Sequence, residues 1–396
     1  EIKEVEYFEN EEMVLKYFST KRNYIKEEFK NVNVVVIILE SFSSEYSYIL
    51  SGNKSYTPFL DSLMLESLYF TNAQANGKRS IEGIPAIVAG LPALMTNPYI
   101  SSAYATDSLP SLASHLKYKG YHSSFFHGGR NGTMGFDNFS KIAGIENYFG
   151  MNEYGTNKGF DNNWGIYDEP FLQFTAANLN AMPKPFLSFI FTLSSHHPYT
   201  IPEEHTGKFK KGTLPIHKSI MYTDYSLKRF FESIQNYPWF ENTLFVITAD
   251  HTGPAEHPLY QTRIGIYRVP IIFYKKNSEL KGKIDKPVQQ IDIMPTVLDY
   301  LNYDLEFYSM GKSFFANDKN YVFNYINNVY QINDEQYILQ FSDEDVISLH
   351  DYINDPLLQQ NLIGKVPDKQ ILLENTLKAI IQTYNRQMKS NKINKE

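Results

Sequence analysis

Val246-Ile247-Thr248-Ala249-Asp250-His251-Thr252-Gly253 is the stretch that decides the fold. An apolar, β-branched run ends abruptly in an acid, an imidazole and a glycine-containing turn. A run with so little polar face reads as a buried strand of a parallel sheet. Ligands of open α/β sheets gather at the carboxyl ends of strands, where Asp250 and His251 fall. One hard oxygen donor beside one nitrogen donor suits a divalent ion such as Mn²⁺ or Zn²⁺. Taken alone, the pair reads equally well as a cap and a surface imidazole.

A distant second strand end tips that balance. Asn33-Val34-Val35-Val36-Ile37-Ile38-Leu39-Glu40 carries six consecutive apolar residues and then an acid. It reads as a central strand covered on both faces, with Glu40 at its carboxyl end. By itself Glu40 could simply open a solvated loop. Two acidic strand ends in one sheet, one of them bearing His251, are read more economically as a metal site.

The rest of the chain sets bounds. Its 396 residues suffice for one large α/β domain with an appendage. Hydrophobic residues at 42% and charged residues at 20% fit a globular protein. A net charge of -7, with no basic run beyond pairs such as Lys210-Lys211, argues against nucleic acid as a partner. With no Cys, disulfide and thiolate–zinc chemistry are excluded.

Strand-like and helix-like segments alternate. Tyr121–Phe126, Phe186–Leu193, Asn242–Thr248 and Arg268–Tyr274 read as strands, and helices are expected from Pro58, from Ser108, over Tyr222–Ile234 and over Ile291–Leu298. This alternation predicts a mostly parallel central sheet sandwiched by helices. Residues 1–30 read as a helical lead-in and 31–317 as the catalytic domain. Residues 318–396 read as a small antiparallel α+β subdomain, with strands at Tyr321–Tyr325, Gln336–Phe341 and Val346–Tyr352 and a last helix capped by Asp368.

Asn76-Gly77-Lys78-Arg79-Ser80-Ile81-Glu82-Gly83 adds a glycine turn, two cations and a hydroxyl ahead of a helix-like run. A hydroxyl at a helix N-terminus, beside cations and a metal, can be ionised into a nucleophile. On the residues alone, the helix N-cap is the stronger reading of Ser80.

The order Leu39-Glu40-Ser41-Phe42, Gly77-Lys78-Arg79-Ser80 and Ala249-Asp250-His251 resembles the lipoteichoic acid synthase-like phosphoglycerol transferases of the alkaline phosphatase and sulfatase superfamily. Phe126-His127-Gly128-Gly129, Ser195-His196-His197-Pro198-Tyr199, Gln290–Thr296 and Leu349–Pro356 follow in the expected order, so the likeness runs from about residue 32 to about 365. It implies one divalent metal, usually Mn²⁺ with Zn²⁺, Mg²⁺ or Ca²⁺ as substitutes, held by Glu40, Ser80, Asp250 and His251. Ser80 would take the place of the family's nucleophilic Thr. Lys78 or Arg79 would grip the phosphate, and His127 or His196 would protonate the leaving alkoxide. His197 and His257 are further candidates for the same cleft.

The resemblance also implies a phospholipid-type phosphodiester donor and a glycan, alcohol or water acceptor. It places the chain on the outer face of a bacterial envelope, membrane-associated through a segment outside this sequence. One loop departs from the family. Where the synthases grip glycerol phosphate with Trp and Arg, this chain has Met134 and Phe136, leaving Arg130 and Trp164 as candidate replacements. Two alternatives stand beside this reading. A sulfatase requires Cys or Ser in a Cys/Ser-x-Pro-x-Arg context, and Ser80-Ile81-Glu82-Gly83-Ile84 lacks both the Pro and the Arg. A catalytically silent relative that binds headgroups or glycans is the other.

Overall fold

In the computed structural model, which describes residues 2, 5–316, 319–342 and 345–393, the two apolar runs lie side by side at the centre of one sheet. Strand β1 (Asn33–Leu39) pairs in parallel with β6 (Thr243–Ala249), from Asn33 opposite Thr243 to Leu39 opposite Ala249. The other strands are β2 (Leu68–Phe70), β3 (His122–His127), β4 (Asn147–Phe149), β5 (Phe186–Phe191), β7 (Ile271–Tyr274) and β8 (Gly282–Ile284). Their order is β8-β2-β7-β6-β1-β5-β3-β4. Only β7 runs antiparallel to its neighbours, β6 and β2.

Residues 34–39 of β1 are all fully buried because both faces of the sheet are covered. Val34, Val36 and Ile38 face one core, and Val35, Ile37 and Leu39 face another. Burial of each such side chain stabilises the fold by about 1.5–3 kcal/mol. That is why an unbroken apolar run, and not an alternating one, marks this strand.

Helices α2 (Ser80–Ala89), α3 (Leu112–Lys117) and α6 (Ile293–Tyr300) pack on the first face. Helices α1 (Pro58–Met64), α4 (Asp168–Ala181) and α5 (His217–Ile234) pack on the second. In α5 the apolar stripe Ile220, Leu227, Phe230, Phe231 and Ile234 recurs at helical spacing and is buried. Thr57 is the N-cap residue of α1, but its side chain does not cap the helix. The Thr57 hydroxyl donates to the Tyr46 carbonyl, and the buried Asp224 carboxylate accepts from the Phe59 and Leu60 N–H groups instead.

Past the central sheet, β9 (Val322–Ile326), β10 (Val329–Asn333), β11 (Tyr337–Ser342) and β12 (Asp345–Asp351) form an antiparallel sheet in sequence order. Phe323, Ile332, Leu339, Phe341 and Leu349 share the first core with the central domain. Helix α7 (Pro367–Lys389) packs on β10 and β11. It starts with Val366 as N-cap and Pro367 in the first turn, so Asp368 lies inside that turn and complements the dipole instead of capping. Strand β10 went unread in the sequence. The proposed boundary at 317/318 falls on residues outside the described set. Among the described residues of the 1–30 lead-in, only Glu11–Leu15 is α-helical; Lys21–Arg22 instead pairs with Phe307–Tyr308 as a short ribbon.

Candidate active site

The parallel register of β1 and β6 delivers Glu40 and Asp250 to adjacent strand ends. The Asp250 N–H donates to the Leu39 carbonyl (3.2 Å). Ser41 turns the chain sharply with φ 58°. Its N–H then donates to Asp250 Oδ1 (2.8 Å) and its hydroxyl to Glu40 Oε1 (2.6 Å). The next strand, β5, adds two supports: Thr192 Oγ1 accepts from the Glu40 N–H, and the Ser195 hydroxyl donates to the Glu40 carbonyl.

His251 completes a triad. Its Nδ1–H donates to the Thr252 carbonyl (3.0 Å), which fixes the tautomer and leaves Nε2 as a free ligand atom. Nε2 lies 3.3 Å from Asp250 Oδ2 and 3.8 Å from Glu40 Oε1. Ligand atoms of Glu40, Asp250 and His251 all fall within 4.8 Å of one another.

This donor set fits a divalent cation. Asp250 Oδ2 is fully buried and has no hydrogen-bond partner. Burial, and then the Asp250 carboxylate beside it, push the Glu40 carboxyl well above the usual carboxylate range. Two buried carboxylates sharing one site are costly unless a cation neutralises them. Two hard oxygens and one imidazole nitrogen are the donors that Mn²⁺ or Zn²⁺ accepts.

Ser80 opens α2, and its placement answers the N-cap question. Arg79 is the N-cap residue, and Glu82 Oε2 takes the N–H groups of Lys78 (2.8 Å) and Arg79 (3.1 Å). Ser80 is the first helical residue and so lies inside the cap position, not at it. It is buried, and its hydroxyl points to Glu40 Oε2 at 3.4 Å. Gly83, one turn on, allows the approach, since a Cβ there would lie 2.2 Å from the Asp250 carbonyl oxygen.

A buried amide pair unread in the sequence ties these elements together. Gln290 Nε2 donates to the Ala249 (2.6 Å) and Asp250 (2.9 Å) carbonyls, while its Oε1 accepts from the Asn76 N–H (2.8 Å). Asn76 in turn accepts from the Ile291 N–H (3.0 Å). One side chain thus joins the Asp250 strand end to the loop that leads to Ser80. The only available signal was its place in the quoted Gln290–Thr296 segment, a polar residue opening an apolar run.

The other candidates divide into two groups. A cleft of about 630 Å³ is bordered by Lys78, Arg79, Ser80, Met134, His196 and His251, with Ile81 and Ile100 as apolar wall. Deeper in, a water-sized hollow of about 20 Å³ brings Glu40 and Ser80 beside His127, Trp164, Phe136 and His196. Lys78 Nζ donates to Thr252 Oγ1 and to the Ile266 carbonyl (2.7 Å), and burial draws its pKa down to about 8 against the pull of Asp250 and Glu82. The Arg79 guanidinium is bound to Glu82 and the Thr96 carbonyl at the rim.

His196 donates Nδ1–H to the His197 carbonyl (2.8 Å), which also accepts from Trp164 Nε1 (2.8 Å). Its ring packs on Trp164 at 4.3 Å, leaving Nε2 unbonded. His127 is buried, stacked on Phe191 and hydrogen-bonded to that residue's carbonyl (3.2 Å). Burial lowers its pKa to about 4, so at neutral pH it is an uncharged imidazole.

Three candidates border neither space. Arg130 is exposed with its guanidinium over the Phe160 ring at 5.2 Å. His197 is exposed and packs on Tyr199. His257 accepts the Leu259 N–H at Nδ1 while its backbone is held by Glu45.

Known proteins show the same arrangement of chain. A family described as Sulfatase matches residues 32–303. Lipoteichoic acid synthase 2 of Bacillus subtilis (strain 168) is 28% identical over 305 residues, covering 71% of this chain and 46% of the relative. The lipoteichoic acid synthase of Staphylococcus saprophyticus is 24% identical over 360 residues, covering 82% and 54%. The chain therefore spans about half the length of the curated relatives it matches. Among solved structures, an alkaline phosphatase superfamily protein from Vibrio parahaemolyticus superposes with a TM-score of 0.83 at 24% identity, over 94% of this chain and 91% of its own. The lipoteichoic acid synthase LtaP from Listeria monocytogenes superposes with a TM-score of 0.75 at 18% identity, over 91% and 96%. With the family match spanning well over half of its length, the chain belongs to the Sulfatase family.

Proposed function

We propose that this chain is the catalytic part of a metal-dependent phosphotransferase that moves a phospho-alcohol group, of the glycerophosphate type, from a phospholipid-like phosphodiester. The observation that carries the reading is the Ser80 hydroxyl: buried, one position inside the helix cap, and aimed at the Glu40–Asp250–His251 triad. A divalent metal held by Glu40, Asp250, His251 and the Ser80 oxygen, with Mn²⁺ first and Zn²⁺, Mg²⁺ or Ca²⁺ as substitutes, lowers the hydroxyl pKa and neutralises phosphate charge when bound.

Ser80 Oγ attacks phosphorus and the bond to the lipid alcohol breaks, leaving a phospho-alcohol ester on Ser80. His196, at the mouth of the inner hollow with Nε2 unbonded, donates the proton to the departing alkoxide. An acceptor hydroxyl of a glycan or alcohol, or water, then gives its proton back to His196 and attacks the same phosphorus, breaking the bond to Ser80 Oγ and returning it. Lys78, fixed by Thr252 and Ile266 at the cleft wall, holds non-bridging oxygens by charge. His127, neutral and locked to Phe191, serves as a hydrogen-bond partner inside the hollow and not as the acid. Met134, Ile81 and Ile100 give the cleft an apolar wall suited to a lipid-linked donor.

Such a donor places the enzyme on the outer face of a bacterial envelope, associated with the membrane through sequence outside this chain. Among the described residues no helix is long and apolar enough to cross a membrane. Sulfate ester hydrolysis is disfavoured by Glu82 and Ile84, which stand where the formylglycine context needs Pro and Arg. The test is release of diacylglycerol from labelled phosphatidylglycerol with Mn²⁺, run beside phosphatidylethanolamine, an aryl phosphate and an aryl sulfate. Turnover of the aryl sulfate alone would overturn the proposal.

A further inference from the structure

The turn Gly265–Tyr267 has two sides. On one, the Ile266 carbonyl holds the Lys78 ammonium at the cleft. On the other, Arg268 borders a separate cavity of about 240 Å³, walled by Leu50, Tyr260, Thr262, Tyr352 and Leu358.

Arg268 is unusual for a largely buried cation. Among the described residues its one side-chain hydrogen bond runs from Nη1 to the Thr71 carbonyl (2.9 Å). Among the described residues no carboxylate pairs with it. Burial is the main influence on its guanidinium and lowers its pKa, opposed only by the Tyr352 and Tyr260 hydroxyls. A guanidinium carries five N–H donors and keeps its charge in proteins. Most of those donors are therefore unspent beside an open cavity, where weak screening strengthens attraction for an anion.

The Tyr260 hydroxyl is a second unspent donor. It has no hydrogen-bond partner among the described residues, and burial pushes its pKa up to about 12, so it stays protonated. Tyr352 and Thr262 are already committed, Tyr352 to the Asp334 carbonyl and Thr262 to the Leu259 carbonyl. The cavity thus offers a planar charged fork and one separate hydroxyl, with leucine side chains across from them. A fork with an added donor suits a tetrahedral oxyanion, and the leucines leave room for a small organic group.

We propose that the Arg268 cavity is a second phosphate-binding site, distinct from the Ser80 centre, that takes a phosphate group either free or esterified to a small alcohol. The site stands whether or not Ser80 is the nucleophile, because none of its residues belongs to the metal triad or its cleft.

The test is calorimetric titration of the Mn²⁺-loaded protein with inorganic phosphate, then with glycerol 1-phosphate, with glycerol as the neutral control. Two phosphates per chain are expected for wild type and one for Arg268→Gln. A second variant, Leu50→Trp, fills the cavity while keeping Arg268, and it too should bind one. Tyr260→Phe should weaken the second phosphate about tenfold while leaving the first unchanged. Tighter binding of glycerol 1-phosphate than of inorganic phosphate would assign the site to an ester, and equal binding to free phosphate. One phosphate in wild type that persists in both Arg268→Gln and Leu50→Trp, or two in either variant, would overturn the proposal. Loss of the Ser80-centre phosphate alone, with the second retained, would count against the proposed function and leave this site standing.

Discussion

Strands β1 and β6 bury polar residues at both ends, and the two ends handle them differently. At the amino end, Asn33 Nδ2 donates to the Asn242 carbonyl and to Thr243 Oγ1, and its Oδ1 accepts from the Phe186 N–H. Thr243 Oγ1 donates to the Trp239 carbonyl, and Asn242 Nδ2 to the Asn31 carbonyl. Every group finds a partner within the fold. At the carboxyl end, Glu40 and Asp250 bring two buried acids together and leave Asp250 Oδ2 without one. Burial alone therefore does not mark function. Buried polar groups that the chain satisfies by itself are stitching, while two buried acids side by side with an oxygen left unsatisfied form a place a cation would complete.

The contrast can be broken most severely at Ser80. Ser80→Ala should reduce phosphodiester turnover by at least about 10³-fold, since the covalent step is lost, while the melting temperature stays close to wild type. Retained activity would reject the nucleophile. Asp250→Asn should come next, in stability instead of rate. Saturating Mn²⁺ at a hundred times its dissociation constant should stabilise wild type by about 2.7 kcal/mol, and that increment should vanish in the variant. Calorimetry with and without chelator would show it, and the chelated variant should match or exceed chelated wild type because a like charge has gone.

At the amino end the expected effect is smaller and reversed in kind. Asn33→Ala strands the Phe186 N–H and should cost about 1–3 kcal/mol in denaturant unfolding, with turnover per folded molecule unchanged. A loss of turnover there would dissolve the distinction between the two ends. The smallest effect is a pH trend. Burial raises Asp224 and Asp292 from 3.8 to about 7. For acids raised in the folded state, the stability they contribute is whole below pH 3.8 and is lost as pH climbs through about 7. Chelated protein should therefore melt lower at pH 8 than at pH 5, by roughly a few °C. A rising trend would contradict the burial of these carboxyls.

The central sheet was legible because both of its middle strands are apolar on both faces, and an acid after such a run can only fall at a strand end. Ser80 was legible as a position but not as a role. Whether its hydroxyl caps or is left free depends on where the helix starts, and a start at Arg79 instead of Ser80 has no signature in spacing. Arg130 and His257 sit near the right motifs in sequence, yet loop direction decides where a side chain points, and one turn sends Arg130 onto Phe160. Strand β10 was missed although its signal was present: Asn327 and Asn328 both adopt positive φ in a two-residue turn between Ile326 and Val329. Gln290 acts on residues forty positions away, so only the fold could bring it into view.

Gly83 gives the site a fixed gauge. Because α2 rests against the backbone of Asp250 with no room for even a methyl group, the separation between Ser80 and the Glu40–Asp250–His251 group is set by main chain against main chain. Side-chain exchanges around the cleft can alter which alcohol is accepted without moving that separation. Redesign of substrate choice can therefore proceed at Met134 or Ile100 with the reacting geometry untouched, whereas Gly83→Ala would act as a wedge driven between the two halves of the reaction centre.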